Sequence, residues 1–347
     1  MGRWMNALAL KQTARLLVAD DKGLLAIDES NATCNKRFAA QGIAETESAR
    51  RAYRELIITT PQLNESISGV IFYDETIRQQ TEDGRAFAGI LAEAGITPGI
   101  KVDIGAKALA GDPGETITEG LDGLRERLQE YRQLGARFAK WRAVIALGDC
   151  MPSRGCIEAN AHALARYAAL CQEAGLVPVV EAEILMDGDH SRERSRAATD
   201  EMLQAVFSQL YDQRVMLEGI ILKPNMVVAG LASAMQETVD EVADATLNCL
   251  MRVVPAAVAG IAFLSGGQSS ELASARLNAM NIRSKAAGSR VPWPLAFSFA
   301  RAIQQPALAI WQGRKANVAA AQRALYRQAN LNRLARRGEL ADAMETA

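Results

Sequence analysis

Eight short apolar runs punctuate the chain, and amphipathic stretches separate them. The runs are GLLAID from Gly23, ISGVIFYDE from Ile67, ITPGIKVD from Ile96, ARFAKWRAVIAL from Ala136, LVPVVEAEIL from Leu176, MLEGIILKPN from Met216, GIAFLSGG from Gly260 and PWPLAFSF from Pro292. Runs this short and this apolar read as strands buried on both faces. Between them, GLDGLRERLQEYRQLG and IEANAHALARYAALCQEAG carry apolar residues at three and four spacing and end on glycine, as helices do. Eight alternations of strand and helix predict a closed (β/α)8 barrel rather than an open doubly wound sheet. The barrel is expected over about 23–313 of one domain spanning 1–347. A helix near 5–20 precedes it, and a helical tail follows over 314–347, centred on 315–335.

Composition narrows the chemistry. The 347 residues are 49% hydrophobic with a net charge of −1, so no broad positive field would attract nucleic acid or anionic lipid. The longest strongly apolar run, Val253–Leu264, spans 12 residues and contains Pro255, whereas a bilayer needs about 20. With no signal-like start, the expected compartment is the cytoplasm. Five scattered cysteines (Cys34, Cys150, Cys156, Cys171 and Cys249) form no CxxC pair and read as reduced thiols. Two histidines are too few for a His-rich zinc site or a Ser-His-Asp triad. His162 reads as a helix packing residue, and His190 as a loop residue at most adjacent to a site. Neither GxGxxG after the first strand nor GxxxxGK[ST] occurs, so no nucleotide cofactor is expected, and no metal.

The polar residues gather where a barrel keeps its chemistry, at the C-terminal ends of the strands. The first strand ends at Asp28, the third at Lys101 and Asp103, and the fourth carries Lys140 and Arg142. The fifth ends on Glu181 and Glu183, the sixth carries Lys223, and the seventh ends on Ser265-Gly266-Gly267. Residues two apart on a strand share a face, so three successive strands would send charged pairs to one side. A salt-bridge plug is the structural alternative, but buried charges cost several kcal/mol unless paired, which argues against spending a whole layer on stability. Lys223, among apolar neighbours, would by itself read as a snorkelling lysine. Beside carboxylates and Lys140 it reads as a nucleophile, because burial and a nearby cation favour the free amine. The Gly-Gly turn, otherwise an ordinary turn, is placed where barrels bind phosphate, and Arg301 would add charge there. Lys101 and Arg142, with Lys36 and Arg37, could hold a second anion. Two anion sites around one imine-forming lysine suggest a sugar phosphorylated at both ends.

The runs LLAIDES, GIKVD, FAKWR, VPVVEAEIL, LEGIILKPNM and FLSGGQS, in that order over roughly 5–330, resemble class I fructose-bisphosphate aldolase, the Schiff-base type. That resemblance implies reversible cleavage of fructose 1,6-bisphosphate to glycerone phosphate and glyceraldehyde 3-phosphate, in glycolysis and gluconeogenesis. It implies Lys223 as imine former, Glu181 as acid/base in carbinolamine dehydration, Glu183 and Lys140 as tuning groups, and Asp28 as acceptor of the C4 hydroxyl proton. Ser265, Gly266, Gly267 and Arg301 would grip one phosphate; Lys101, Arg142, Ser30 and Thr33 the other. A homotetramer is the implied assembly, and a small sugar bisphosphate the implied partner. Thr33 stands where the family often has Ser, and Ala300 where Gly is common. The sequence closes on RRGELADAMETA, without the terminal Tyr of animal members, so enamine protonation would use another group or water. The rival readings are another Schiff-base lyase acting on a monophosphate, a metal-dependent aldolase, and a binding homologue without catalysis.

Overall fold

The computed structural model describes residues 2–340, so the last seven positions of the expected tail lie outside the described residues. Ten strands form among the described residues: β1 (Gly23–Ala26), β2 (Ile67–Phe72), β3 (Thr97–Lys101), β4 (Gly105–Ala108), β5 (Thr116–Glu119), β6 (Phe138–Ile145), β7 (Val177–Ile184), β8 (Ile221–Pro224), β9 (Gly260–Phe263) and β10 (Leu295–Phe299). Eight of them close into a barrel in the order β1-β10-β9-β8-β7-β6-β3-β2, every neighbouring pair parallel. The expected (β/α)8 barrel is therefore present, with its added terminal helices at Gly2–Leu17 and Val318–Arg337. One element was not foreseen. β4 and β5 pair antiparallel as a ribbon between the third and fourth barrel strands. Its four-residue strands, β4 mostly exposed and β5 mostly half-buried, are too short to show as an apolar run.

The barrel interior is divided into two levels. The lower level is apolar: Leu24, Ala26, Ile71, Phe138, Val177, Val179, Ile221, Ala262 and Ala296 form one cluster with Leu10, Ala14, Leu17 and Val18 of the N-terminal helix. Gly69 and Gly99 make room for the Phe138 ring; a Cβ on Gly99 would lie 2.2 Å from it. The first helix thus closes the N-terminal end of the barrel with aliphatic side chains. Alternation along the same strands then places Lys101, Lys140, Glu181 and Lys223 above this floor, each two residues beyond an interior apolar or glycine position.

The surrounding helices are anchored by side-chain caps, which satisfy backbone amides that a helix start leaves free. Ser153, Ser191 and Ser269 cap in this way, and Thr238 forms a capping box with Glu241. The C-terminal helix is strapped to the barrel by Arg336, which is buried and donates to the carbonyls of Leu295 (3.0 Å), Val18 (3.3 Å) and Lys22.

Candidate active site

Parallel register brings the charged strand ends together. Lys101 lies beside Lys140, Arg142 beside Glu181, and Glu181 beside Lys223. Lys140 Nζ donates to Asp28 Oδ2 at 2.9 Å and stands 2.9 Å from Glu181 Oε2. Lys223 Nζ stands 2.9 Å from the other oxygen, Glu181 Oε1. Asp28, Lys140, Glu181 and Lys223 are all buried, so amine and carboxylate alternate through a continuous chain shielded from water. Glu183 accepts from Arg142 Nε at 2.5 Å, and Lys101 contacts Asp103 at 2.6 Å. The Asp103 carboxylate also accepts from the amides of Gly105 and Arg142, which ties the ends of β3 and β6 together.

Burial and charge compete over each of these groups. Burial alone would raise Asp28, but Lys140, Lys223 and Lys101 outweigh it and hold its carboxyl at about 2. Burial likewise opposes the charge on Glu181, and Lys140, Lys223 and Arg142 pull it below the usual carboxylate range. Burial would drive the Lys140 ammonium down, yet Asp28 and Glu181 keep it well above the ordinary lysine range. Lys140 is therefore a fixed cation between two fixed anions.

The phosphate-type turn follows β9. Gly266 and Gly267 have φ of 57° and 90°, a region that side-chain-bearing residues rarely adopt, so glycine is needed here. A Cβ on Gly267 would lie 3.7 Å from the Arg301 guanidinium, which places Arg301 beside the turn. Arg301 opens the helix Arg301–Trp311, whose start has no side-chain cap from Ala300. On the other flank, Ser30 caps the helix Asn31–Ala39 by accepting from the Thr33 amide at 3.3 Å, and the two hydroxyls are 3.1 Å apart.

Two expectations need correction. Arg37 is not free for a second anion: Glu29 takes its guanidinium at 2.5 Å and Gln304 accepts from it at 3.2 Å, while Lys36 points to solvent. His162 is exposed rather than packed, because its helix turns Ala161, Ala163 and Leu164 inward instead. It lines an open groove of about 540 Å³ with Glu119, Asp122 and Arg127, beside the β4–β5 ribbon. That groove contains none of the clustered lysines or acids, so its size does not make it the reaction site. His190 sits outside the cluster, where burial lowers its pKa. Cys34, Cys156, Cys171 and Cys249 are buried and Cys150 exposed; all five are free. Among the described residues no group of three or more His, Cys, Asp or Glu is arranged to hold a metal ion.

Several residues escaped the sequence reading. Gln304 is buried and donates to the Ala26 carbonyl (2.6 Å) and Glu29 (2.9 Å), while accepting from Arg37 and Tyr53. Glu29 also accepts from the buried Arg54 at 2.8 Å. This network joins the segment after Asp28 to the first turn of the Arg301 helix. Asn225 accepts from the Ile184 amide at 3.0 Å and so fixes the end of β7 beside β8. Ser298 is buried with an unpartnered hydroxyl, two residues beyond the interior Ala296; that alternation was its only sequence signal.

Similarity to known proteins converges on one description. The profile of the family described as fructose-bisphosphate aldolase class-I matches residues 9–347. A Xanthomonas campestris protein named probable fructose-bisphosphate aldolase class 1 is 55% identical over 96% of this chain and 99% of its own length. A Dictyostelium discoideum fructose-bisphosphate aldolase is 48% identical over 94% and 91%. Among solved structures, a Plasmodium falciparum fructose-bisphosphate aldolase, crystallised with TRAP and a small-molecule inhibitor, superposes with a TM-score of 0.93. It is 44% identical, over 96% of this chain and 95% of that one.

Proposed function

The chain belongs to the class I fructose-bisphosphate aldolase family, lyases of the Schiff-base type, and on that premise we propose which of its residues carry the reaction. Lys223 attacks the C2 carbonyl of fructose 1,6-bisphosphate. Glu181, 2.9 Å from that amine, takes up the proton that the attacking nitrogen sheds and passes it to the carbinolamine hydroxyl, which leaves as water. The protonated imine then withdraws electrons as the C3–C4 bond breaks, and Asp28 accepts the C4 hydroxyl proton. Glyceraldehyde 3-phosphate leaves; the remaining enamine takes up a proton at C3, and hydrolysis frees glycerone phosphate and the lysine. Lys140, fixed between Asp28 and Glu181, lets the two acids act without repelling each other, and Arg142 orients Glu183.

The observation that carries this reading is the buried sequence Lys223–Glu181–Lys140–Asp28, with 2.9 Å between successive groups. Borohydride trapping with glycerone phosphate should leave a reduced adduct on Lys223 and none in Lys223→Ala; an adduct mapping to another lysine would reject the assignment. Ser265, Gly266, Gly267 and Arg301 would hold the phosphate nearer the imine, and Lys101, Arg142, Ser30 and Thr33 the distal one. A monophosphate-specific lyase is the competing reading, and equal kcat/KM for fructose 1,6-bisphosphate and fructose 1-phosphate would favour it. The wider reading is one domain over 1–347, acting in glycolysis and gluconeogenesis as a cytoplasmic homotetramer. Exposed Tyr211 and Met235 are apolar surface compatible with subunit contact, and no helix among the described residues is long and apolar enough to cross a membrane.

A further inference from the structure

Arg276 is a buried cation that the mechanism above does not use. It lies on the helix Ser270–Lys285, which begins directly after the Ser265–Gly267 turn, and is only 3% exposed. Side chains of a helix lean toward its N-terminus, and Arg276 follows that rule: its Nη1 reaches back to donate to Gln268 Oε1 at 2.7 Å. Gln268 in turn closes the glycine turn, its amide donating to the Ser265 carbonyl at 3.0 Å. Its side-chain amide contacts Met226 Sδ at 3.6 Å, at the end of β8. Arg276 Nε is buried with no partner, and no carboxylate among the described residues comes within 4.0 Å of the guanidinium. Glu237 acts on it only from farther away, while its own oxygen accepts from the Ala229 amide. Burial accordingly pulls the Arg276 pKa down, and Glu237 compensates only in part.

A buried guanidinium with no carboxylate in contact is unfavourable, and an incoming anion would relieve that. We propose that Arg276 is a positioning residue that supplies buried positive charge to the Ser265–Gly267 site, with the substrate's phosphate as its missing counter-ion. It acts through space and through Gln268 rather than by touching the reacting carbons. The proposal rests on the reading of that turn as a phosphate site.

Two variants separate charge from structure. Arg276→Gln keeps a donor for Gln268 but removes the charge; Arg276→Lys keeps the charge. Borohydride trapping is titrated with glycerone phosphate and with unphosphorylated glycerone. Arg276→Gln should bind glycerone phosphate on the order of tenfold more weakly, glycerone as wild type does, and Arg276→Lys should stay near wild type for both. If wild type shows no preference for glycerone phosphate over glycerone, the turn is not a phosphate site and both readings fail. If wild type shows the preference and Arg276→Gln retains it, only the Arg276 proposal fails. Equal losses for both ligands, or equal losses in the Gln and Lys variants, assign Arg276 a structural role and overturn it as well.

Discussion

Replacing Asp28 with Asn tests the buried charge chain at its acidic end, because the change preserves shape and removes one charge. Asp28 is 8% exposed and its carboxylate accepts from Lys140 at 2.9 Å. Its pKa falls from 3.8 to about 2 on folding, because Lys140, Lys223 and Lys101 outweigh its burial. A depression of that size corresponds to roughly 2 kcal/mol of stability at neutral pH. A depressed acid contributes fully above its unfolded pKa and loses that contribution as pH falls through its folded one. The gap between wild type and Asp28→Asn should therefore be full at pH 7, about half by pH 3, and absent below about pH 2. Urea unfolding of both proteins at a series of pH values measures it. Catalysis should separate into its steps: turnover drops by about 10²–10⁴-fold, while borohydride trapping of glycerone phosphate on Lys223 persists. A stability gap that stays constant from pH 7 to pH 3 would refute the electrostatic account of Asp28. Loss of trapping along with turnover would refute its assignment to the cleavage step.

Three other outcomes follow from particular contacts. Gln304→Leu strands the Ala26 carbonyl and takes one partner each from Glu29 and Arg37, and should cost roughly 2–4 kcal/mol in urea unfolding; an unchanged midpoint would show that the network carries no net stability. Gly99→Ala forces a Cβ to 2.2 Å from the Phe138 ring and should destabilise by about 1–3 kcal/mol, whereas Gly89→Ala, on an open helix face, should stabilise by roughly 0.5–1 kcal/mol. Melting temperatures moving in the same direction would contradict this pair. Turnover should be unchanged after dialysis against EDTA; complete loss, restored by Zn²⁺, would replace the lysine mechanism with a metal-dependent one.

The barrel was legible because its strands are buried on both faces, which turns each into an apolar run. The charged pairs were legible because a strand alternates faces at every residue, so Lys140 with Arg142 and Glu181 with Glu183 must share a side. What escaped depends on distance along the chain. Arg37 looked free because Gln304, one of its partners, lies 267 positions away, and nothing local marks Glu29 as its counter-charge. His162 was misplaced because its helix is rich in alanine, and small residues fit either face, leaving the helical phase undefined. The β4–β5 ribbon carries almost no apolar signal. Ser298 was visible only as a hydroxyl at an inward alternation, a pattern that becomes informative once neighbouring strands are aligned.

The apolar floor built on Phe138 and the first helix closes one end of the barrel and leaves the charged end as the way in. On the proposed mechanism both halves of a cleaved sugar would leave through the entrance by which the whole one arrived, the half tethered to Lys223 only after water releases it. The untethered aldehyde would then depart first, and an aldehyde returning from solution would meet the enamine still inside. With that end sealed, substrate and products would share one corridor in both directions of the reaction.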